Sequence, residues 1–231
     1  LLKNALADKA IHSITKFTTL DFPNHLASIL WFAKCNMACP YCYNPQIVRE
    51  SGQISIEEAL QFLKSRQGRL EGVVLSGGEC TLYPHLEAFI CEIKRLGFKV
   101  KIDTNGSNPT VIGRLIENNF IDYVALDYKA PLNKYDATVH YRHTDRFEQT
   151  LELLIHSDIP FEVRTTLHSD LLNVDDLNAI IQDLHVRKYQ GVYYLQNYLH
   201  VEPTLGATKP QQNQLDLSKL TPLVPIELRN F

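Results

Sequence analysis

Three cysteines, Cys35, Cys39 and Cys42, stand in a C-x3-C-x2-C spacing directly after an apolar run, ILWF. Thiolates are the usual ligands of iron–sulfur clusters, and spacing this close lets one loop wrap one cluster. Three ligands leave one iron of a four-iron cube with an open coordination site. A cluster needs such a site to bind a substrate, as a catalytic zinc does. The same donor set also admits a zinc knot with Cys80 or a histidine as fourth ligand. Zinc knots usually pair two C-x2-C halves, however, and no second half is present. The chain has five cysteines, the others being Cys80 and Cys91. An odd number with three crowded together makes a poor disulfide framework and suits metal binding in a reducing compartment. Cys80 is read as a small packed side chain or a redox-active thiol. Cys91 falls in a helical pattern and reads as structural. None of the nine histidines shows ligand spacing; His200, just after the last strand-like run, is the one to watch.

Further polar groups follow other apolar runs. Ser76-Gly77-Gly78-Glu79 combines paired glycines, which let backbone approach a ligand closely, with a carboxylate able to accept hydrogen bonds from an ammonium group. Asp103-Thr104-Asn105-Gly106 reads either as a strand-to-helix turn or as polar groups for a ribose or a substrate backbone. Asp127 and Lys129 read either as a structural ion pair or as site residues. Arg164, within an apolar run, requires a partner, and a ligand carboxylate would serve. Gln196 and Asn197 close the last run.

The elements that must position these groups alternate. Strands are expected at 26–32, 72–76, 100–104, 123–128, 161–167 and 192–197. Their mostly continuous apolar runs suit a parallel sheet covered by helices. Between them lie amphipathic segments. Ser55 with Glu58 forms a capping box, Pro84 opens a second helix, and Asn108 and Pro109 start a third. Asp145 caps a fourth and Asn173 a fifth. Right-handed crossovers would put every helix outside the sheet. The expected fold is α/β: a partial, parallel (β/α)6 TIM-like barrel. All the polar groups named above then fall at or near the C-terminal strand ends, where barrel enzymes build active sites. The first 25 residues read as a β extension with a turn at Asp21-Phe22-Pro23-Asn24. Residues 1–231 form a single domain, with the barrel core at about 26–200 and an irregular tail at 201–231.

Composition narrows the classes further. With 231 residues, 45% hydrophobic and 21% charged, the chain has the balance of a soluble globular domain. A formal net charge of -3 implies no general attraction to nucleic acid. No apolar run is long enough to span a membrane, and LLKNALADKA lacks a leader core. A cytoplasmic location is therefore expected.

The cysteine loop, with the aromatic Tyr41 before its last cysteine and GGE at 77–79, resembles the radical S-adenosylmethionine superfamily. The resemblance implies a [4Fe-4S] cluster on Cys35, Cys39 and Cys42. Its open iron would chelate the amino and carboxylate groups of S-adenosylmethionine. Reductive cleavage would then yield a 5′-deoxyadenosyl radical that abstracts hydrogen from a substrate, so the cofactors carry the chemistry. Gly77, Gly78 and Glu79 would hold the cofactor's amino group. Tyr41, Asp103, Asn105 and Arg164 complete the cofactor-binding set.

Wider stretches resemble the activating enzymes of glycyl-radical enzymes, in particular those paired with anaerobic ribonucleotide reductase. These are ITKFTTLDFPNHLASILWFAKCNMACPYCYNPQIV, GVVLSGGECTL, KVKIDTNGSNP, DYVALDYKAPLNKY and FEVRTTL, which cover most of residues 14–167. Two positions depart from that pattern: Tyr43 stands where His is common, and Cys80 where Pro is common. The implied partner is a glycyl-radical enzyme, with anaerobic ribonucleotide reductase as first candidate. A flavodoxin- or ferredoxin-type protein would donate the electron. The competing readings are a radical enzyme acting on a small molecule with a purine-like ring, and a non-catalytic metal-binding module.

Overall fold

The computed structural model describes residues 5–231. The first four residues, part of the stretch read above as lacking a leader core, lie outside the described residues. Eight strands form one sheet in chain order: β1 (Ile11–Thr18), β2 (Ala27–Phe32), β3 (Gly72–Gly77), β4 (Lys99–Thr104), β5 (Tyr123–Asp127), β6 (Phe161–Leu167), β7 (Tyr193–Asn197) and β8 (Ile226–Arg229). β1 runs antiparallel to β2, and every later pair is parallel. The sheet does not close, so a seam separates β1 from β8. This is the expected partial barrel with its N-terminal β extension. The segment expected as an irregular tail differs: it ends in β8, a seventh parallel strand.

Helices fill the crossovers: α1 (Pro45–Arg49) and α2 (Ile56–Lys64) before β3, α3 (Leu86–Arg95) before β4, and α4 (Pro109–Glu117) before β5. Next come α5 (Tyr135–Val139) and α6 (Thr144–Ile155) before β6, and α7 (Val174–Val186) before β7. Capping boxes start α2, with Ser55 and Glu58, and α7, with Asn173 and Asp176. Each box satisfies two orphan donors, and its cap residue contributes about 1 kcal/mol. Two expected starts shift. α3 begins at Leu86 behind His85, because Pro84 belongs to the turn in which Leu86 N–H donates to Tyr83 C=O. α6 begins at Thr144, so Asp145 sits inside its first turn rather than at the cap.

The sheet's two faces differ. The outward side chains, such as Leu30, Val73, Leu75, Val100, Ile102 and Val124, pack with the helices into the main core. The inward face is graded along the barrel axis. Phe22, Ala27, Ile29 and Val74 plug the lower end. Lys101 stands level with Val74 and reaches up to Asp103; Asp103, Asp127 and Arg164 lie above, and the C-terminal end opens as a cavity. Phe22 reaches its place through the expected turn, in which His25 N–H donates to Phe22 C=O at 3.1 Å. An added Cβ on Gly72 would stand 2.7 Å from the Phe22 ring, so the plug requires glycine there.

Candidate active site

The cavity at the C-terminal strand ends has a volume of about 360 Å³, within the range of small-molecule sites. Cys35, Cys39, Cys42, Tyr41, Gly77, Gly78, Asp103, Asn105 and Arg164 all line it. Of the expected site residues, only Glu79 does not. Cys80 is fully buried and apart from the cavity, and its thiol points to the Asp103 carbonyl at 3.7 Å. It is not available as a fourth metal ligand, and burial holds the thiol protonated. His200 also stands outside the cavity, with its Nδ1 3.5 Å from the Tyr198 hydroxyl.

The cysteine loop is fastened from four directions. The turn after β3 grips its entry: Gly78 N–H donates to Phe32 C=O at 2.8 Å and Glu79 N–H to Lys34 C=O at 2.9 Å. The turn after β4 meets it through Asn105 Nδ2 to Asn36 Oδ1, 2.9 Å, and Asn36 Nδ2 to Ser107 Oγ, 2.8 Å. From α5, Val139 C=O accepts Ala38 N–H at 3.0 Å. A strap after β7 completes the frame, with Leu205 N–H on Cys42 C=O at 3.1 Å and Gly206 N–H on Pro40 C=O at 2.9 Å. Tyr43 belongs to the same contact. Its ring stacks on Tyr198 at 5.5 Å, and its hydroxyl accepts Leu199 N–H at 2.9 Å.

Glu79 holds this frame together from behind. Its carboxylate accepts Thr81 N–H at 3.1 Å, Thr81 hydroxyl at 2.6 Å, Thr104 hydroxyl at 2.9 Å and Asn105 N–H at 2.7 Å. Burial pushes its pKa up against these four bonds. Its carboxylate is thus engaged inside the protein, three of the bonds on one oxygen and one on the other, and it does not line the cavity. The backbone of Gly77 and Gly78 forms the cavity wall instead. An added Cβ on Gly78 would stand 1.9 Å from Lys34 O, which explains glycine at that position.

Below the loop, the charged residues pair with one another. Lys101 contacts Asp103 at 2.5 Å, Arg164 contacts Asp127 at 2.5 Å and Asp103 at 3.3 Å, and Lys129 contacts Asp127 at 2.9 Å. Arg164 thus finds its partners in the protein, where a ligand carboxylate was expected. Burial alone would raise the Asp127 carboxyl, but Arg164 and Lys129 outweigh it and hold the carboxyl well below the usual range. Burial alone would likewise lower Lys129, but Asp127 keeps it charged. One layer down, Glu162 binds Arg229 of β8 at 3.0 Å, and that guanidinium lies 3.5 Å over the Tyr194 ring. These side-chain contacts tie the seventh parallel strand to the sheet in addition to its backbone pairing with β7.

The donor set suits an iron–sulfur cluster. Burial pushes the Cys35 thiol up to about 12 and raises Cys39 as well. Thiolates buried here require a metal charge to hold them. Met37 N–H and the Asn105 amide face Cys35 sulfur at 3.4 and 3.9 Å, and the Lys129 ammonium favours the thiolate forms of Cys35 and Cys39. Among the described residues no three His, Cys, Asp or Glu side chains are drawn to one point. The three thiols line the cavity separately.

A parallel βα barrel with three thiols and a glycine turn at its mouth defines a cofactor enzyme of the barrel class. Residues 29–184, more than half of the chain, match the family described as the Radical SAM superfamily, and the chain belongs to that superfamily. It is a radical SAM oxidoreductase, whose cofactors are a [4Fe-4S] cluster and S-adenosylmethionine. A Methanocaldococcus jannaschii protein, provisionally named a glycyl-radical enzyme activating enzyme, is 30% identical over 225 residues, 91% of this chain and 90% of its own length. The 7-carboxy-7-deazaguanine synthase of Neisseria meningitidis is 33% identical over 97 residues, 42% of this chain and 41% of its own. Among solved structures, SuiB of Streptococcus suis bound to S-adenosylmethionine superposes with a TM-score of 0.65 at 14% identity, over 87% of this chain and 52% of that one. The chain spans about half the length of that solved protein, and the likeness is one of fold.

Proposed function

We propose that this enzyme installs a glycyl radical on a partner protein, with an anaerobic ribonucleotide reductase as first candidate. The observation that carries this reading is the likeness to the provisionally named glycyl-radical activating enzyme, which runs through 91% of the chain. The likeness to the deazaguanine synthase covers only 42% and is compatible with shared cofactor handling. The seam between β1 and β8 supports a macromolecular substrate, because a peptide segment can enter the cavity sideways. With Cys35, Cys39 and Cys42 holding the cluster and S-adenosylmethionine bound beside it, these cofactors would supply the hydrogen-abstracting radical chemistry.

The chain's residues hold and shield. Cys35, Cys39 and Cys42 bind the cluster, and the Gly77–Gly78 backbone meets the cofactor's amino group. Tyr41, Asp103 and Asn105 bound the cofactor. Arg164 keeps Asp103 and Asp127 ionised and in place, and Glu79 positions the β3 and β4 turns. The domain works as one unit in the cytoplasm, with a flavodoxin- or ferredoxin-type electron donor. Among the described residues no helix is long and apolar enough to cross a membrane.

The test combines anaerobically reconstituted, reduced enzyme with S-adenosylmethionine and the reductase of the same organism. A glycyl-radical EPR doublet that vanishes in Cys39→Ala supports the reading. Abundant 5′-deoxyadenosine with no protein radical on the reductase overturns it in favour of a small-molecule substrate.

A further inference from the structure

The cavity wall opposite the cysteine loop carries two polar side chains that the protein does not use. Thr166 of β6 and Gln196 of β7 are direct register partners, so the two side chains stand roughly 5 Å apart on one face. Both line the cavity, and among the described residues neither side chain has a hydrogen-bond partner in the protein. Their neighbours differ in this respect. The Thr165 hydroxyl donates to Tyr128 C=O at 2.6 Å, and Asn197 accepts from Gln211 at 2.8 Å. Directly below, Arg164 is committed to Asp127 and Asp103; beside Gln196, its register partner Arg229 is committed to Glu162.

The commitments select the ligand. Lys101, Arg164 and Lys129 all have carboxylate partners, so an anionic substrate group reaching this wall finds no free counter-charge. A neutral group offering one donor and one acceptor finds both in the Gln196 carboxamide, with the Thr166 hydroxyl beside it. A peptide unit is such a group. The wall is also placed where a peptide would arrive. β7 is the last strand but one before the seam, and Asp21 and Trp31 line the same cavity from the seam's other side.

We propose that Gln196 and Thr166 bind the substrate's backbone at a peptide unit flanking the target glycine, and so determine specificity for a peptide. This inference rests on the glycyl-radical reading above. The probe is a blocked peptide carrying the glycine segment of the reductase, beside its depsipeptide counterpart in which the flanking amide is an ester. With the wild-type enzyme, KM for the ester should exceed KM for the amide about tenfold, the effect of one lost hydrogen bond. In Gln196→Ala the amide should bind as poorly as the ester. Thr166→Val should also raise KM for the amide, and Thr166→Ser should restore it.

Three results overturn the proposal. One is an unchanged amide-to-ester ratio in Gln196→Ala. Another is a loss of S-adenosylmethionine affinity, measured by calorimetry, equal to the rise in KM, since the residues would then hold the cofactor. The third is the absence of a radical on peptide and reductase alike with the wild-type enzyme. That result removes the glycyl-radical reading and this inference with it, whereas the first two leave that reading standing.

Discussion

The Glu79 carboxylate accepts the backbone N–H of Asn105 at 2.7 Å, and Asn105 in turn donates to Asn36 at 2.9 Å in the cysteine loop. The turn after β3, the turn after β4 and the cluster loop are therefore one hydrogen-bonded unit. Glu79 is 2% exposed, so removing its carboxylate strands several buried donors. Glu79→Ala should lower stability by roughly 3 kcal/mol. Thermal unfolding of the apoprotein should shift down by about 6–12 °C. A Tm equal to wild type would show that these bonds do not hold the turns.

Gly78→Ala tests the other half of that unit. Its Cβ would lie 1.9 Å from Lys34 O and 3.2 Å from Cys35 N, so the cysteine loop must move. Iron retention after anaerobic reconstitution should drop to a minor fraction of wild type. Full loading would mean that the loop accommodates the methyl group.

Cluster loading should release protons. With Cys35 pushed up to about 12 and Cys39 also raised by burial, both are thiols at neutral pH and must ionise to bind iron. Apparent iron affinity should therefore rise with pH between 7 and 9. The Cys35→Ala, Cys39→Ala, Cys42→Ala triple variant should hold no cluster by iron and sulfide analysis. A pH-independent affinity would contradict the buried-thiol picture.

The Asp103 and Asp127 carboxyls are depressed, so their contribution is present above the ordinary value near 3.8 and is lost as pH falls through their lower folded-state values. Asp127→Asn should reduce the urea midpoint at pH 7. It should also flatten the loss seen in wild type on going from pH 5 to pH 2. Parallel curves for the two proteins would exclude this linkage.

The legible parts of the sequence were those with strong local chemistry. The cysteine spacing, the Ser55–Glu58 capping box, the Asn173 cap and the six apolar runs each act over a few residues, and each stands where expected. β8 was not legible because its four residues, IELR, show no buried stripe. Its partners are distant in the chain: it pairs with β7 about 30 residues back, and Arg229 reaches Glu162, 67 residues away. The role of Glu79 was hidden for a similar reason. A carboxylate after two glycines looks ligand-facing, and only the fold brings Thr104 and Asn105 to occupy it. Tyr43 departs from the family pattern in sequence, and its reason is equally non-local: Tyr198 and Leu199 meet it after β7.

The strap across the cysteine loop also has a consequence for biosynthesis. Arg49 and Leu205, joined at 3.1 Å where strap meets loop, are 156 residues apart in the chain. At ordinary ribosomal speed, on the order of ten seconds separate the emergence of the two. Throughout that interval the nascent polypeptide presents its thiols on a loop not yet tied down from above. The thiols thus leave the ribosome well before the segment that will cover them exists.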